Sequence, residues 1–78
     1  MNTIFEKVKS LIVDQLGVAE SSVDMDTDIV RDLGANSLDI VDFILALEEE
    51  FDVNITDDDA KELVTVEDIV EYIKENQD

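Results

Sequence analysis

The 78 residues of this chain include 22 acidic and 5 basic side chains, a formal net charge of −17, and no cysteine or histidine. A chain of this length predicts one domain over residues 1–78. The charge excludes nucleic acid as a partner, because phosphate backbones would be repelled. It also disfavours anionic membrane surfaces and favours partners with basic patches.

The missing side chains limit the chemistry that the chain itself can perform. Without cysteine or histidine it has no disulfide, no thiolate or imidazole metal ligand, and no Ser-His or Cys-His nucleophile pair. We therefore expect no catalytic residue, no metal site and no enzyme. No apolar run approaches the ~20 residues of a membrane span, and the N-terminus lacks the pattern of a secretory signal. A soluble cytoplasmic protein without stable membrane insertion is the expectation.

The first half of the chain predicts a helix followed by a long loop. Apolar residues recur at helical spacing over residues 3–16, and Gly17 ends the pattern. Residues 18–35 show no sustained period and are rich in turn-forming residues, which predicts a loop. Scattered apolar residues indicate that this loop lies pinned across the core, with a short helical turn within residues 27–33.

The second helix is predicted from Asn36 or Ser37 to about Glu50, and it carries two apolar stripes. One stripe has the spacing of a core face and consists of Ile40, Phe43, Ile44, Leu47 and Phe51. The opposite stripe consists of Leu38, Val41 and Leu45. If the first stripe is buried, the second is exposed. An exposed apolar strip edged by acids is typical of a docking surface, and scattered surface leucines are the alternative.

Two further helices are predicted after a turn at residues 52–56. Thr56 can cap a short helix over residues 57–63. Thr65, with Asp68 at the third position, can cap a final helix. The core face of that helix contains Val66, Ile69, Val70 and Ile73. The chain therefore predicts an all-α fold, a small bundle of three main helices plus one short helix, with a long loop between the first and second helices.

One acidic segment resembles the start of a calcium-binding loop. Asp24, Asp26 and Asp28 have the alternating spacing that opens an EF-hand. The pattern then fails, because Ile29 stands where glycine is required and Ala35 where a bidentate glutamate is required. We expect no EF-hand here. Loose divalent-cation binding at other acidic clusters stays open as an alternative to solvated turns.

Ser37 is the strongest candidate for a functional site. It follows Gly34 and Ala35, small residues that would leave the start of the second helix open to another molecule. Most serines at such a position are structural N-caps. A helix N-terminus also stabilises a phosphate placed on its first hydroxyl. The residues alone leave both interpretations open, and a modification would need an external enzyme because the chain has no base to activate the hydroxyl.

Over essentially its whole length the sequence resembles the acyl carrier proteins. The matching blocks are residues 14–18, Asp32-Leu33-Gly34-Ala35, the attachment motif Ser37-Leu38-Asp39, and residues 46–51. The resemblance implies a 4′-phosphopantetheine arm, joined to Ser37 through a phosphodiester and installed from coenzyme A by a carrier-protein synthase. One departure is Asn36, because family members usually have aspartate directly before the modified serine.

The resemblance also implies a function and its alternatives. The thiol of the arm would carry acyl intermediates as thioesters in dissociated fatty acid biosynthesis, and this protein would supply mobility and recognition. A specialised polyketide carrier or an aminoacyl or peptidyl carrier is the alternative within this class. From a different class, the alternative is an unmodified acidic adaptor that binds a basic partner through the exposed strip of the second helix.

Two further groups of residues follow from the resemblance. The acyl chain is expected to lie between the helices, in a pocket lined by Ile29, Phe43, Leu47, Ile55, Ala60, Leu63, Ile69 and Tyr72. Carrier-protein synthase and fatty acid synthesis enzymes with basic docking patches are expected to bind Leu38, Asp39, Val41, Asp42, Leu45, Glu48 and Glu49. We expect the protein to act as a monomer.

Overall fold

The computed structural model describes residues 3–76, and helices account for most of them. The four α-helices are α1 (Thr3–Leu16), α2 (Ser37–Phe51), α3 (Asp57–Glu62) and α4 (Val66–Asn76). A short 3-10 turn, Glu20–Ser22, lies in the loop between α1 and α2. The predicted all-α bundle of three main helices and one short helix is confirmed. Within residues 3–76 there is no β-strand, only an isolated bridge between Asp28 and Thr65.

The core is a single apolar cluster to which every α-helix or its flanking turn contributes. α1 packs against both α2 and α4. The buried members of the cluster are Val8, Ile12, Val23, Ile29, Phe43, Leu47, Phe51, Ile55, Leu63, Val66, Ile69, Val70 and Ile73. The predicted core face of α4 is therefore buried throughout. In the predicted core stripe of α2, Ile40 and Ile44 are only half-buried, because they lie at its edge towards α3.

The helices begin and end where local chemistry predicts. Gly17, which follows α1, has a φ of 66°, the left-handed conformation that glycine adopts without strain. The Thr56 hydroxyl accepts a hydrogen bond from the backbone N–H of Asp59 at 3.1 Å and caps α3. Thr65 and Asp68 form a reciprocal capping box at the start of α4, with both distances at 3.2 Å.

The long loop is held to the start of α4 by backbone hydrogen bonds. The N–H of Ile29 donates to the carbonyl of Val64 at 3.1 Å, and the N–H of Val66 donates to the carbonyl of Thr27 at 3.0 Å. Buried Thr27 also fixes the loop internally, because its hydroxyl accepts from the N–H of Asp24 at 2.8 Å. These bonds satisfy polar backbone groups that would otherwise be costly to bury. They anchor the segment that leads to α2.

A short helical turn precedes α2, within the range predicted. The N–H of Asp32 donates to the carbonyl of Asp28 at 2.9 Å, and the N–H of Gly34 donates to the carbonyl of Val30 at 3.0 Å. The carboxylate of Asp28 caps this turn by accepting from the N–H of Val30 at 2.9 Å. The Asp28 carboxylate is thus a structural cap here.

Candidate functional site

The site begins with the cap of α2, which is Asn36. Its side-chain oxygen accepts a hydrogen bond from the N–H of Asp39 at 2.9 Å. The carboxylate of Asp39 accepts in return from the N–H of Asn36 at 3.4 Å, which completes a capping box. Asparagine caps helices as well as aspartate does, so the departure at position 36 leaves the helix start intact. The capping role is filled without Ser37.

Ser37 is the first helical residue of α2, and its side chain is exposed. The hydroxyl makes no hydrogen bond to any residue within 3–76. The backbone N–H groups of Ser37 and Leu38 likewise have no acceptor in that range. The approach past Gly34 is open, because a Cβ at that glycine would meet nothing within 4 Å. An unpaired hydroxyl thus lies at the positive end of a 15-residue helix.

An apolar groove opens beside Ser37, between the first half of α2 and α3. Its volume is about 510 Å³, and it is lined by Val30, Ser37, Ile40, Val41, Asp57, Ala60, Lys61, Leu63 and Val64. A second depression of about 180 Å³ shares Ile40, Val41, Asp57 and Ala60 with the first and extends along α2 to Glu48 and Ile55. The two neighbouring depressions are together called the α2–α3 groove.

The predicted pocket residues fall in three places. Ala60, Leu63 and Ile55 line the α2–α3 groove. Tyr72 borders a separate depression of about 310 Å³ on the α4 side of α3. The remaining candidates are buried members of the core: Ile29, Phe43, Leu47 and Ile69.

Sequence reasoning missed several residues that line the α2–α3 groove. Ile40 and Ile44 match the periodicity of a core stripe, and that spacing does not separate them from the fully buried residues, although the structure shows them half-buried in the groove lining. Val30 and Val64 come from short turns without any period. The backbone pairing of the loop with the start of α4, which brings these turns together, joins residues more than 30 positions apart and has no local signal.

The predicted docking strip of α2 is exposed. Leu38, Val41 and Leu45 are 76%, 55% and 55% exposed. The four acidic residues around the strip differ in what they contact. Asp42 and Glu49 are exposed and make no ion pair or hydrogen bond to a side chain within residues 3–76. Asp39 belongs to the capping box, and Glu48 accepts a hydrogen bond from the N–H of Ile55 at 2.8 Å. Glu48 therefore fixes the turn between α2 and α3.

A tyrosine holds the far side of α3. The hydroxyl of Tyr72 lies 3.0 Å from a carboxylate oxygen of Asp59 and 3.1 Å from the carbonyl oxygen of Asn54. Burial, together with the hydrogen bond to Asp59 and the nearby carboxylates of Asp59 and Glu48, raises the pKa of Tyr72 above its ordinary value of 10.0. The contact ties α4 to α3, which forms one wall of the α2–α3 groove.

Comparison with known proteins identifies the family. The family model described as the phosphopantetheine attachment site matches residues 6–73. The acyl carrier protein of Campylobacter lari is 53% identical over 74 residues, which cover 95% of this chain and 96% of that protein. The chain belongs to the acyl carrier protein family. The acyl carrier protein of Clostridium acetobutylicum is 51% identical over 71 residues, 91% of this chain and 92% of that one.

The solved structures agree with this assignment to the acyl carrier proteins. The acyl carrier protein of Enterococcus faecalis superposes with a TM-score of 0.82 at 34% identity, over 95% of this chain and 94% of that one. Acyl carrier proteins bear a covalently attached 4′-phosphopantetheine, and they are carriers rather than catalysts. The unpaired hydroxyl of Ser37, the two free backbone N–H groups and the adjoining groove fit an arm attached through a phosphate.

Residues 3–76 contain no group of three or more acidic side chains arranged to hold a metal ion. In the same range, no helix has the length and hydropathy that crossing a membrane requires.

The raised pKa of Tyr72 predicts a measurable titration. Tyr72 is the sole tyrosine in the sequence and there is no tryptophan, so ultraviolet absorbance reports its ionisation directly. We expect the midpoint above 10.0 in the folded protein. The pKa of Tyr72 is higher in the folded protein than in the unfolded chain. Its contribution to the free energy of unfolding is therefore complete below the unfolded pKa of 10.0, and it is lost as the pH rises through the folded pKa.

Asp59→Asn separates the causes of this shift. It removes the charge and leaves the ring in place, so the midpoint should fall part of the way towards the ordinary value. Burial, the largest single cause, should keep it raised. The control is Glu67→Gln, which removes an exposed charge from α4 and should leave the midpoint unchanged. A wild-type midpoint at or below that of the unfolded chain would contradict this account of Tyr72.

Proposed function

We propose that this protein carries acyl intermediates as thioesters on a 4′-phosphopantetheine arm attached to Ser37, in dissociated fatty acid biosynthesis in the cytoplasm. The observation that carries the proposal is the exposed hydroxyl of Ser37, which makes no hydrogen bond to any described residue, at the start of a helix already capped by Asn36. A serine that served only as a cap would have its oxygen engaged.

The start of α2 suits a phosphodiester on Ser37. The free N–H groups of Ser37 and Leu38 and the helix dipole favour a negative charge at this position. The capping box keeps these groups fixed, since Asn36 and Asp39 hold the first turn. When bound, the arm supplies a thiol, which the sequence itself lacks because it contains no cysteine. The protein contributes attachment, orientation and recognition.

The α2–α3 groove is the proposed location of an acyl chain. Its lining includes Ser37 and is mainly apolar, with Val30 in the first depression, Ile55 in the second and Ile40 in both. Burying a methylene group contributes about 0.8 kcal/mol, so an acyl chain would gain by leaving water. The buried side chains Phe43, Leu47 and Ile69 belong to the packed core and would have to move for a chain to enter more deeply.

The exposed strip of α2 is the proposed surface for partner enzymes. Leu38, Val41 and Leu45 offer apolar contacts beside Ser37, and Asp42 and Glu49 offer free carboxylates. Residues 36–63 contain ten acids and one base, a net charge of −9. Such a surface attracts basic patches and supports fast, transient association. A carrier that serves several enzymes requires that kind of binding.

Removing the hydroxyl tests the attachment site. Intact-mass spectrometry of protein from its native host should show one phosphopantetheinyl group on the wild type and none on Ser37→Ala, because no other serine begins a long helix beside the α2–α3 groove. The matched control is Ser21→Ala, which removes an exposed hydroxyl from the 3-10 turn and should leave the modification intact.

The same measurement can refute the proposal. Modification that persists in Ser37→Ala would place the arm elsewhere. An unmodified wild type that still binds a basic partner would favour the acidic adaptor. The acyl groups found on the protein, whether fatty, polyketide or aminoacyl, distinguish the pathways.

Neutralising single acids of α2 tests the docking surface. Asp42→Asn should weaken association with a carrier-protein synthase about twofold to fivefold at low salt, as expected for an exposed ion pair. The difference should shrink at high salt through screening. Asp14→Asn, an exposed acid on α1, is the matched control and should have little effect. Equal weakening by both variants, or an effect of Asp42→Asn that is independent of salt, would contradict a specific docking role.

A further inference from the structure

The part of the α2–α3 groove beside Ser37 contains two charged residues, Asp57 and Lys61, among a lining that is otherwise apolar except for Ser37 itself. Both belong to α3, one turn apart, with Asp57 in its first turn and Lys61 in its last. Lys61, on α3, and Ser37, at the start of α2, therefore line the same cavity.

Lys61 is exposed and has no ion-pair partner within residues 3–76. The sole ion pair at 4.0 Å or less in that range joins Lys7 and Glu50, at 3.7 Å. A contact with Asp57, four residues before it, would have the favourable order for a helix, yet the two side chains do not meet. The ammonium group of Lys61 is thus available to another anion.

The surroundings of Ser37 are acidic, so a nearby cation would stabilise an anion attached there. Lys61 is the single base among residues 36–63, against ten acids. A phosphodiester attached to Ser37 would be an anion among carboxylates that include Asp39 and Asp57. Like charges nearby raise the free energy of such a group, and one opposite charge within a few ångströms offsets part of that cost.

We infer that Lys61 forms an ion pair with the phosphodiester of the arm on Ser37, and that this contact holds the start of the arm over the α2–α3 groove. The inference rests on the proposed attachment at Ser37 and adds a positioning residue to it. The contact links α3 to the start of α2 across the groove. Because the pair is exposed, it is weak and leaves the arm mobile.

Phosphorus NMR of the purified holo-protein tests this contact, since the arm brings in one phosphorus atom. In the wild type the phosphodiester resonance should move as salt is added and the pair is screened. Lys61→Gln should reduce that movement by about twofold or more. Lys61→Arg should preserve it, because guanidinium also binds phosphate oxygens. Lys74→Gln, which removes an exposed cation from the last turn of α4, is the matched control and should match the wild type.

A second variant gives an independent reading. Asp57→Asn removes a carboxylate that lines the same cavity and would repel the phosphodiester, so the ammonium group of Lys61 should bind the phosphodiester more fully. We expect a larger salt-dependent movement of the resonance than in the wild type. Thermal unfolding of each apo variant beside its holo form shows whether α3 itself has changed.

The outcomes separate this inference from the proposed function. If mass spectrometry places the arm on Ser37 and the resonance of Lys61→Gln behaves as in the wild type, the ion pair is refuted and the carrier function stands. If no arm is found on Ser37, both fail. A uniform loss of salt dependence in Lys61→Gln and Lys74→Gln would indicate a general effect of charge and would also overturn the specific pair.

Discussion

The capping box between Asn36 and Asp39 is the interaction on which the site depends. By satisfying backbone groups at the start of α2, it leaves Ser37 with no structural task. In a helix without such a cap, the exposed N–H groups of the first turn would donate hydrogen bonds to the next hydroxyl or to solvent. The result is an available hydroxyl at the positive end of the helix, facing an apolar groove. An acyl carrier protein needs this combination, because its chemistry resides on an added group.

The rest of the fold positions this junction. Hydrogen bonds from Ile29 to Val64 and from Val66 to Thr27 anchor the long loop against the start of α4. The same pairing brings Val30 and Val64 together in the lining of the groove. α3 is too short to be stable alone, and it is held by its Thr56 cap and by the hydrogen bond from Tyr72 to Asp59. One wall of the groove is therefore the firmly packed helix α2, and the other is α3, which has few stabilising contacts.

The acidic residues of α2 divide into two groups with different roles. Asp39 and Glu48 hold the helix start and the turn after the helix, at 3.4 and 2.8 Å from their backbone donors. Asp42 and Glu49 are free for partners within the described structure. The sequence predicted all four as docking residues, because charge and spacing do not reveal which carboxylates are already engaged.

The helices, their caps at Thr56 and Thr65, and the exposed strip were predictable, since these depend on local periodicity and capping chemistry. Two features were not predictable from the sequence. The choice between Asn36 and Ser37 as the cap depends on the exact start of the helix. The contributions of Val30 and Val64 to the groove depend on pairing between distant parts of the chain.

The free energy of unfolding of two alanine variants tests the central claim most directly. If Asn36 caps α2 and Ser37 does not, Asn36→Ala should cost about 1 kcal/mol in apo-protein. Ser37→Ala should change the free energy of unfolding by no more than about 0.5 kcal/mol, as for other exposed positions. A loss of about 1 kcal/mol in Ser37→Ala, with Asn36→Ala unchanged, would show that the serine is the structural cap and would contradict the account.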